Sequence, residues 1–334
     1  MNEIAAIAGP SASLAEARAL LGRYTLSPAA KLSLLHQSEN TMFLVRDPAR
    51  AVPLVLRVHS HRMAYHTEPS IRSELQWMSA LRADAGIETP AVVAATDGSL
   101  VQRLATAHPD QPRLAVMFTY LSGSEPAEEA LLPGFERLGE IAARMHRHAR
   151  GWTLPAGFQR HGWTAETILG DRPLWGPWQT GIGMDAPAVR LVGRMAAAIE
   201  KRLRSLPRDG DRFGLIHADM RLANLLVEGD RTKVIDFDDC GFGWLAYDLA
   251  TAVSFIQERP DLPALIEAWL AGYGRVARFP HDLEAEIPSF LMLRRIAEIG
   301  WLASTQHVAF ARNLAPRFAG DTCRLAEDYL TRFG

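Results

Sequence analysis

The chain has 334 residues, a formal net charge of −2 and a hydrophobic fraction of 48%. This length exceeds that of a usual single domain, so two lobes are expected. With this net charge, the chain has no excess of basic residues that would attract nucleic acid or an anionic membrane surface, so neither is expected as a partner. The sequence contains no run of about 18 apolar residues, so no membrane-spanning segment is expected.

Residues 32 to 121 have the composition of a small β-rich lobe. Short apolar segments alternate with turn residues such as Asp97-Gly98. One helix interrupts the strands, because apolar side chains recur at helical spacing from Ile71 to Leu81. The predicted strands comprise residues 32–35, 41–45, 52–58, 91–95 and 114–119.

An ion pair is expected within this lobe. Glu74 lies beside Ile71 and Leu75 on the apolar side of the predicted helix. A carboxylate in such a place requires a cationic partner. Arg57, on the strand 52–58, can supply it, and an ordinary surface ion pair between the two residues is the alternative.

A boundary between lobes is expected near Gly123. The apolar strand 114–119 runs into Ser122-Gly123, which is typical of a linker. We therefore predict lobes at residues 1–122 and 123–334. The second lobe is expected to be mainly helical, with helices near residues 138–145, 249–256, 262–273, 283–305 and 325–333. The charges of Arg294, Arg295 and Glu298 are expected on a solvated helix face.

An irregular segment, residues 151–187, is the candidate for a lid over the substrate. It contains half of the eight tryptophans, interleaved with Gly and Pro, and so cannot be one long helix. Trp175 and Trp178 are candidates for an aromatic cage around an amine. The alternative, which we favour, is that the tryptophans simply pack a segment that has no regular core.

The most informative motif lies between residues 214 and 239. His217, Asp219 and Asn224 follow one apolar segment, and Asp236 follows another. Because the strands 225–227 and 233–235 flank a turn, they predict a β-hairpin that brings Asn224 close to Asp236. Amide and carboxylate oxygens suit Mg²⁺ that carries nucleotide phosphates. Asp219 can accept the proton of an attacking hydroxyl. Each residue alone is also an ordinary turn former or packed side chain, but the combined spacing favours function.

The spacing His-x-Asp-x4-Asn, followed by the hairpin, Asp236-Phe237-Asp238 and a helix start at Asp248, resembles the aminoglycoside phosphotransferase and choline kinase family. It is most similar to the homoserine kinase and bacterial stress-response kinase branches. The resemblance implies an α+β fold of the two-lobed, protein-kinase-like type. A small antiparallel β lobe would carry one key helix, and the larger lobe would be mainly helical.

The resemblance assigns the catalytic and metal-binding roles by position. Asp219 matches the catalytic base of the family. Asn224 and Asp236 match its Mg²⁺ ligands, and Asp238 is placed to assist them. The implied cofactors are ATP and Mg²⁺, bound in a cleft between the lobes.

Four further residues receive supporting roles from the resemblance. His217 fixes the backbone of the catalytic loop, and Asp248 supports that loop from a helix start. A helix Glu of the kinase fold pairs with a strand Lys that binds the nucleotide phosphates. Glu74 and Arg57 occupy these positions here, although the guanidinium is longer and planar.

The expected reaction is phosphoryl transfer to a hydroxyl of a small molecule, an aminoglycoside-, choline- or homoserine-like alcohol. A Ser/Thr protein kinase with a protein acceptor is the alternative, and a nucleotide-binding pseudokinase, suggested only by Arg57, is a third possibility. The two cysteines, Cys240 and Cys323, have no pair spacing, and the first ten residues lack the features of a signal peptide. A cytoplasmic location is therefore expected.

Overall fold

The computed structural model describes residues 10–60, 65–104, 113–127 and 130–334, without the side chains of residues 10–13. Residues 1–9, where no signal peptide is expected, lie outside the described residues. The chain divides into two compact units. The first comprises Met1–Ser79 and Pro90–Leu121, and the second comprises Ala80–Thr89 and Ser122–Gly334.

The first unit is built on an antiparallel sheet. Within the described residues its strands are β1 (Lys31–Gln37), β2 (Thr41–Arg46), β3 (Leu54–Val58), β4 (Val92–Val93), β5 (Val101–Leu104) and β6 (Arg113–Thr119). They are ordered β1-β2-β3-β6-β4, with β5 also paired to β6. All five residues of β3 are buried, as expected for a short apolar strand inside a sheet. The sequence patterns did not predict β5, whose Gln102 and Arg103 interrupt the apolar run.

Among the residues that the structure describes, two α-helices accompany this sheet. Helix α1 spans Pro10–Leu20 and was not predicted, whereas α2 spans Glu68–Asp84 and covers the predicted helix. Ile71 and Leu75 are fully buried on α2, as their spacing implies. The residues from Ala80 onward group with the second unit, so α2 crosses the boundary between the units.

The second unit is mainly helical. Its helices are α3 (Leu131–Gly151), α4 (Ala165–Leu169), α5 (Ala186–Leu203), α6 (Ala246–Ala252), α7 (Leu262–Gly274), α8 (His281–Ala285), α9 (Ile287–Ser304) and α10 (Ala309–Phe333). Helices α3 and α7 approach closely because Gly139 and Gly272 lie at their crossing. A Cβ atom at Gly139 would lie 1.9 Å from the carbonyl oxygen of Trp269. Of the helices in the described part of the chain, none combines the length and the apolar character that a bilayer crossing needs.

Two small sheets carry the motif residues in the second unit. Their strands are β7 (Gly162–Trp163), β8 (Phe213–Ile216), β9 (Leu225–Glu228), β10 (Arg231–Val234) and β11 (Gly241–Trp244). Strands β9 and β10 form the predicted hairpin, with Leu225 paired to Val234. Strand β11 pairs antiparallel with β8 and parallel with β7.

Three helix boundaries differ from the sequence predictions. Helix α6 ends at Ala252 instead of residue 256, and Phe255 beyond it has a left-handed φ of 65°. The predicted helix 283–305 is divided at Glu286, because Pro288 begins a new helix in its first turn. The last helix starts at Ala309 and not at residue 325, and it continues through Pro316.

Candidate active site

The loop that follows β8 is held by α6. The backbone N–H groups of His217 and Ala218 donate to the Asp248 carboxylate at 3.2 and 2.7 Å. The N–H of Met220 donates to Thr251 Oγ1 at 2.9 Å. Ala218 has a φ of 62°, a left-handed conformation that costs an alanine about 1–2 kcal/mol. Bonds to a buried carboxylate offset that cost, so Asp248 supports the loop as its predicted role requires.

Asp248 is in turn oriented by α3. His146 Nε2 lies 2.9 Å from Asp248 Oδ2, and both side chains are fully buried. Because a carboxylate only accepts hydrogen bonds, Nε2 donates to Asp248, and His146 Nδ1 lies 3.2 Å from the Tyr273 hydroxyl. Burial raises the pKa of Tyr273, so its hydroxyl stays protonated. His146 therefore packs against Tyr273 and positions the Asp248 carboxylate.

His217 connects the loop to the residues around Asp236. The N–H of Asp219 donates to His217 Nδ1 at 3.3 Å. The other ring nitrogen, Nε2, therefore carries the hydrogen and donates to the carbonyl oxygen of Ile235 at 3.2 Å. The ring is fully buried and lies 4.6 Å, centroid to centroid, from Phe237. This geometry gives His217 the backbone-fixing position that the sequence predicted.

Asp219 is an ionised carboxylate held by three donors. Arg294 Nη2 lies 2.8 Å from Oδ1, Asn224 Nδ2 donates to Oδ2 at 2.8 Å, and Arg221 Nε is 3.2 Å from Oδ1. Burial tends to raise the pKa of Asp219, but Arg221 and Arg294 more than offset it and hold the pKa below its usual value. The side chain is only 12% exposed, so an acceptor hydroxyl would meet it in a restricted space.

Asn224 presents its amide oxygen away from Asp219. Its Nδ2 donates both to the Asp219 carbonyl oxygen at 2.7 Å and to the Asp219 carboxylate, and neither oxygen can donate in return. The amide orientation is therefore fixed by chemistry. Oδ1 is the atom that could bind a metal.

The hairpin brings Asn224 and Asp236 together. The N–H of Ile235, the residue before Asp236, donates to the carbonyl oxygen of Asn224 at 3.0 Å. Asp236 is exposed and has a φ of 63°, whereas Asp238 is 8% exposed. Asn224 and Asp236 thus lie on neighbouring backbone positions, and their amide and carboxylate oxygens are the hard donors that Mg²⁺ prefers. The residues present therefore fit a divalent metal.

In the tryptophan-rich segment, residues 151–187, three tryptophan side chains are buried instead of exposed to solvent. Trp163, Trp175 and Trp178 are all at most 6% exposed. Trp163 stacks on Tyr247 with ring centroids 5.7 Å apart, and Trp175 lies 4.5 Å from the Arg294 guanidinium. These contacts favour the packing interpretation over a lid or an amine cage for the three residues.

The expectation of a solvated face for Arg294, Arg295 and Glu298 is wrong, because all three are at most 1% exposed. Arg294 Nε donates to Ser254 at 2.9 Å and lies 3.4 Å from Glu298. Burial disfavours the charge of Arg294, yet Tyr247 and Asp219 raise its pKa, so it remains a cation. Arg294 is thus the main site residue that sequence reasoning missed.

In the first unit, Arg57 and Glu74 form a two-point ion pair. Arg57 Nη1 and Nη2 each lie 2.8 Å from a Glu74 oxygen. The side chains are 5% and 0% exposed, so this is not the surface ion pair that the sequence also allowed. The Arg57 guanidinium also lies 5.1 Å from the centre of the Phe118 ring. Arg57 is therefore held rigidly, with a fixed positive charge on β3.

Comparisons with known proteins agree with this geometry. Residues 32–285 match the model of the phosphotransferase enzyme family. A solved structure of a microcompartment-associated aminopropanol kinase is 43% identical, with 97% of this chain and 98% of that chain covered and a TM-score of 0.86. An amicoumacin kinase structure, in complex with AMP-PNP and Ca²⁺, is 22% identical, covers 92% of this chain and 91% of that chain, and has a TM-score of 0.73. The amicoumacin kinase of Bacillus subtilis is 27% identical over 180 residues, and the match spans only half of each chain.

The chain belongs to the phosphotransferase enzyme family. The predicted family, the α+β kinase-like fold and the prediction of an ATP-dependent kinase that phosphorylates an alcohol of a small molecule are confirmed. A divalent metal is present in the amicoumacin kinase structure, and its use by this chain stays a prediction. The finer placement near the homoserine and stress-response branches stays a prediction.

Proposed function

We propose that this kinase transfers the γ-phosphoryl group of MgATP to the hydroxyl of a short amino alcohol, with Asp219 as the base. One observation carries the base assignment. Asp219 is ionised between Arg294 and Arg221, and Asn224 donates to it, so the metal-binding oxygen of Asn224 faces away. A carboxylate in this setting can orient a hydroxyl and accept its proton.

The metal is assigned to Asn224 and Asp236, with Asp238 as a further ligand. Mg²⁺ at these oxygens would neutralise charge on the phosphates. Asp219→Asn should retain binding of MgATP while turnover falls by at least about a hundredfold. Asp236→Ala should abolish Mg²⁺-dependent nucleotide binding in a calorimetric titration. An Asp219→Asn enzyme with normal turnover would disprove the base assignment.

Arg57 is proposed to bind the nucleotide phosphates, held in place by Glu74. Arg57→Ala should weaken ATP binding with an unchanged circular dichroism spectrum, and removing Glu74 as well should add little, because coupled partners are not additive. Arg103→Ala is the matched control, since Arg103 also pairs with a glutamate in the first unit, Glu68, but is 63% exposed. Equal ATP affinities for the Arg57 and Arg103 variants would reject this role.

Support for an amino alcohol comes from the aminopropanol kinase likeness and from an aromatic group, Phe255, Trp301 and Phe310. Phe255 lies 5.5 Å from Trp301 and 5.2 Å from Phe310, centroid to centroid. The group is partly open, since Phe310 is 49% exposed. Arg221, which contacts Asp219, lies 5.9 Å from the Phe255 ring. Aromatic faces near the base can attract an ammonium group.

A panel of acceptors tests this assignment. Release of ADP would be measured with aminopropanol, ethanolamine, choline and homoserine, with propanol as the neutral match of aminopropanol and myelin basic protein as a protein acceptor. Aminopropanol should exceed propanol in kcat/KM by about twofold to thirtyfold, which corresponds to about 0.5–2 kcal/mol of cation–π attraction. Trp301→Leu should reduce this preference, and Trp152→Leu should not. Phosphorylation of the protein alone would favour the stress-response alternative.

We place this activity in the cytoplasm. Cys240 and Cys323 are not joined in a disulfide, and Cys240 is buried, which suits a reducing compartment. Fractionation of cells that express the tagged chain would test the location.

A further inference from the structure

The loop formed by residues 236–240, here termed the metal loop, contains two of the proposed metal ligands. The N–H of Cys240 donates to the carbonyl oxygen of Phe237 at 3.0 Å, which closes one turn. Asp236 at its start adopts a left-handed backbone. Contacts from outside such a loop to its backbone help its carboxylates to keep one position.

Three consecutive carbonyl oxygens of the metal loop accept hydrogen bonds from two side chains. Arg160 Nη2 donates to Asp238 O and Arg160 Nε donates to Cys240 O, each at 2.5 Å. Trp163 Nε1 donates to Asp239 O at 2.7 Å. Bonds from a guanidinium are charge-assisted and directional, so Arg160 fixes two peptide planes of the loop at once.

The donors lie in residues 160–163, here termed the supporting segment. Its backbone is joined to the strand after the metal loop, because Phe242 N–H donates to His161 O at 2.9 Å and β7 pairs with β11. Gly241 permits this approach, since a Cβ there would lie 2.6 Å from His161 O. Stacking of Trp163 on the buried Tyr247 ring fixes the indole.

The two ends of the metal loop are therefore secured independently. On the N-terminal side, His217 binds the carbonyl oxygen of Ile235. On the C-terminal side, Arg160 and Trp163 bind the last three carbonyl oxygens. We infer that Arg160 is a positioning residue for the divalent metal: through the backbone of residues 238–240 it sets where the carboxylates of Asp236 and Asp238 stand. This gives the tryptophan-rich excursion a function in metal binding instead of in substrate coverage.

Groups that orient the metal ligands through hydrogen bonds, without touching the metal, typically change metal affinity by about 10- to 100-fold when they are removed. Arg160→Met keeps much of the apolar stem but removes both bonds. It should raise the Mg²⁺ concentration needed for half-maximal ATP binding by about 10- to 100-fold, while ATP affinity in EDTA stays at the wild-type value. A lysine can reach one of the carbonyl oxygens but lacks the planar fork that binds two, so Arg160→Lys should need a Mg²⁺ concentration between those of the wild type and Arg160→Met.

The matched control is Arg208→Met. Arg208 also lies in the second unit and rests on aromatic rings, 5.0 Å from that of Trp244, but pairs with Glu166 at the surface. Its loss should leave the Mg²⁺ dependence unchanged. Trp163→Phe is a second test variant, since it keeps the ring and removes only the bond to Asp239 O. Trp163→Phe should also raise the Mg²⁺ concentration needed for ATP binding. It replaces Arg160→Met as the test variant if that variant does not fold.

The inference rests on the proposed metal site, and the two can fail separately. If Asp236→Ala abolishes Mg²⁺-dependent binding while Arg160→Met and Trp163→Phe retain the wild-type Mg²⁺ dependence, the positioning role is overturned and the metal site stands. If Asp236→Ala binds MgATP normally, the metal assignment itself fails. A loss of thermal stability in Arg160→Met with an unchanged Mg²⁺ dependence would show a merely structural role.

Discussion

Asp248 offers a direct test of how the candidate catalytic loop is held. Replacement by alanine removes the acceptor of three buried donors: the N–H groups of His217 and Ala218 and the Nε2–H of His146. Each buried donor left without a partner costs about 1–3 kcal/mol. Water can enter the space of the lost carboxylate, so we expect Asp248→Ala to lower the free energy of unfolding by about 3–5 kcal/mol.

Thr251→Val provides a graded comparison on the same helix. It preserves shape and removes one acceptor, the hydroxyl that binds Met220 N–H at 2.9 Å. The expected cost is about 1–2 kcal/mol. Both variants should also raise amide hydrogen exchange in residues 214–224, because the loop would open locally without unfolding of the chain.

Urea unfolding of the two variants, followed by hydrogen exchange with mass spectrometry, would measure these effects. The order of the two costs is the decisive result, since it depends on the number of bonds and not on their absolute strength. If Asp248→Ala were no more destabilising than Thr251→Val, and exchange in the loop were unchanged, the loop would be held by something other than α6.

Three further substitutions test separate features. Ala218→Gly should raise the free energy of unfolding by up to about 1 kcal/mol, because glycine adopts the left-handed φ of 62° without strain; a clear loss in urea unfolding would show that the buried methyl group matters more. Arg294→Lys keeps the charge, but a lysine cannot bind Asp219 and Ser254 together. The free energy of unfolding should therefore fall by about 1–3 kcal/mol in a urea titration, and turnover should fall in an assay of ADP release. The hydroxyl and N–H of Ser27 and the N–H of Ala49 hold the pKa of Asp47 below its usual value. The ionised carboxylate therefore stabilises the fold above its ordinary pKa of about 3.9, and this stabilisation is lost as the pH falls through the lower pKa of the folded state. In urea titrations below about pH 4, the free energy of unfolding of Asp47→Asn should therefore change less with pH than that of the wild type.

The features that sequence predicted well are those with a local cause. The hairpin of β9 and β10 follows from two apolar segments around Gly229, whose φ of 58° suits the turn. It fixes the proximity of Asn224 and the residue before Asp236 without any long-range information. The pairing of Arg57 with Glu74 follows from one helical stripe and one strand, because Arg57 is the only basic residue within the predicted strands of this lobe.

The contacts that sequence missed join residues far apart in the chain. Arg160 reaches the metal loop across 78 residues, and Arg294 reaches Asp219 across 75. Periodicity within one element cannot reveal such partners. The tryptophan-rich segment was assigned by composition alone, which indicates that a segment is irregular but not what it binds. Its function in the structure depends on one arginine and one indole N–H that no local pattern distinguishes.

Helix α9 nevertheless contained a signal for the most consequential of these contacts. Phe290, Leu291, Met292 and Leu293 follow one another and so occupy all sides of the helix rather than one stripe, and a helix that is apolar all round is buried. Charges within such a helix must then be buried and paired. Glu298 alone does not suffice for both Arg294 and Arg295, so at least one arginine needs an acid from elsewhere. Asp219 is the acid that the structure supplies for Arg294, whereas the sequence alone does not distinguish it from the other carboxylates of the chain.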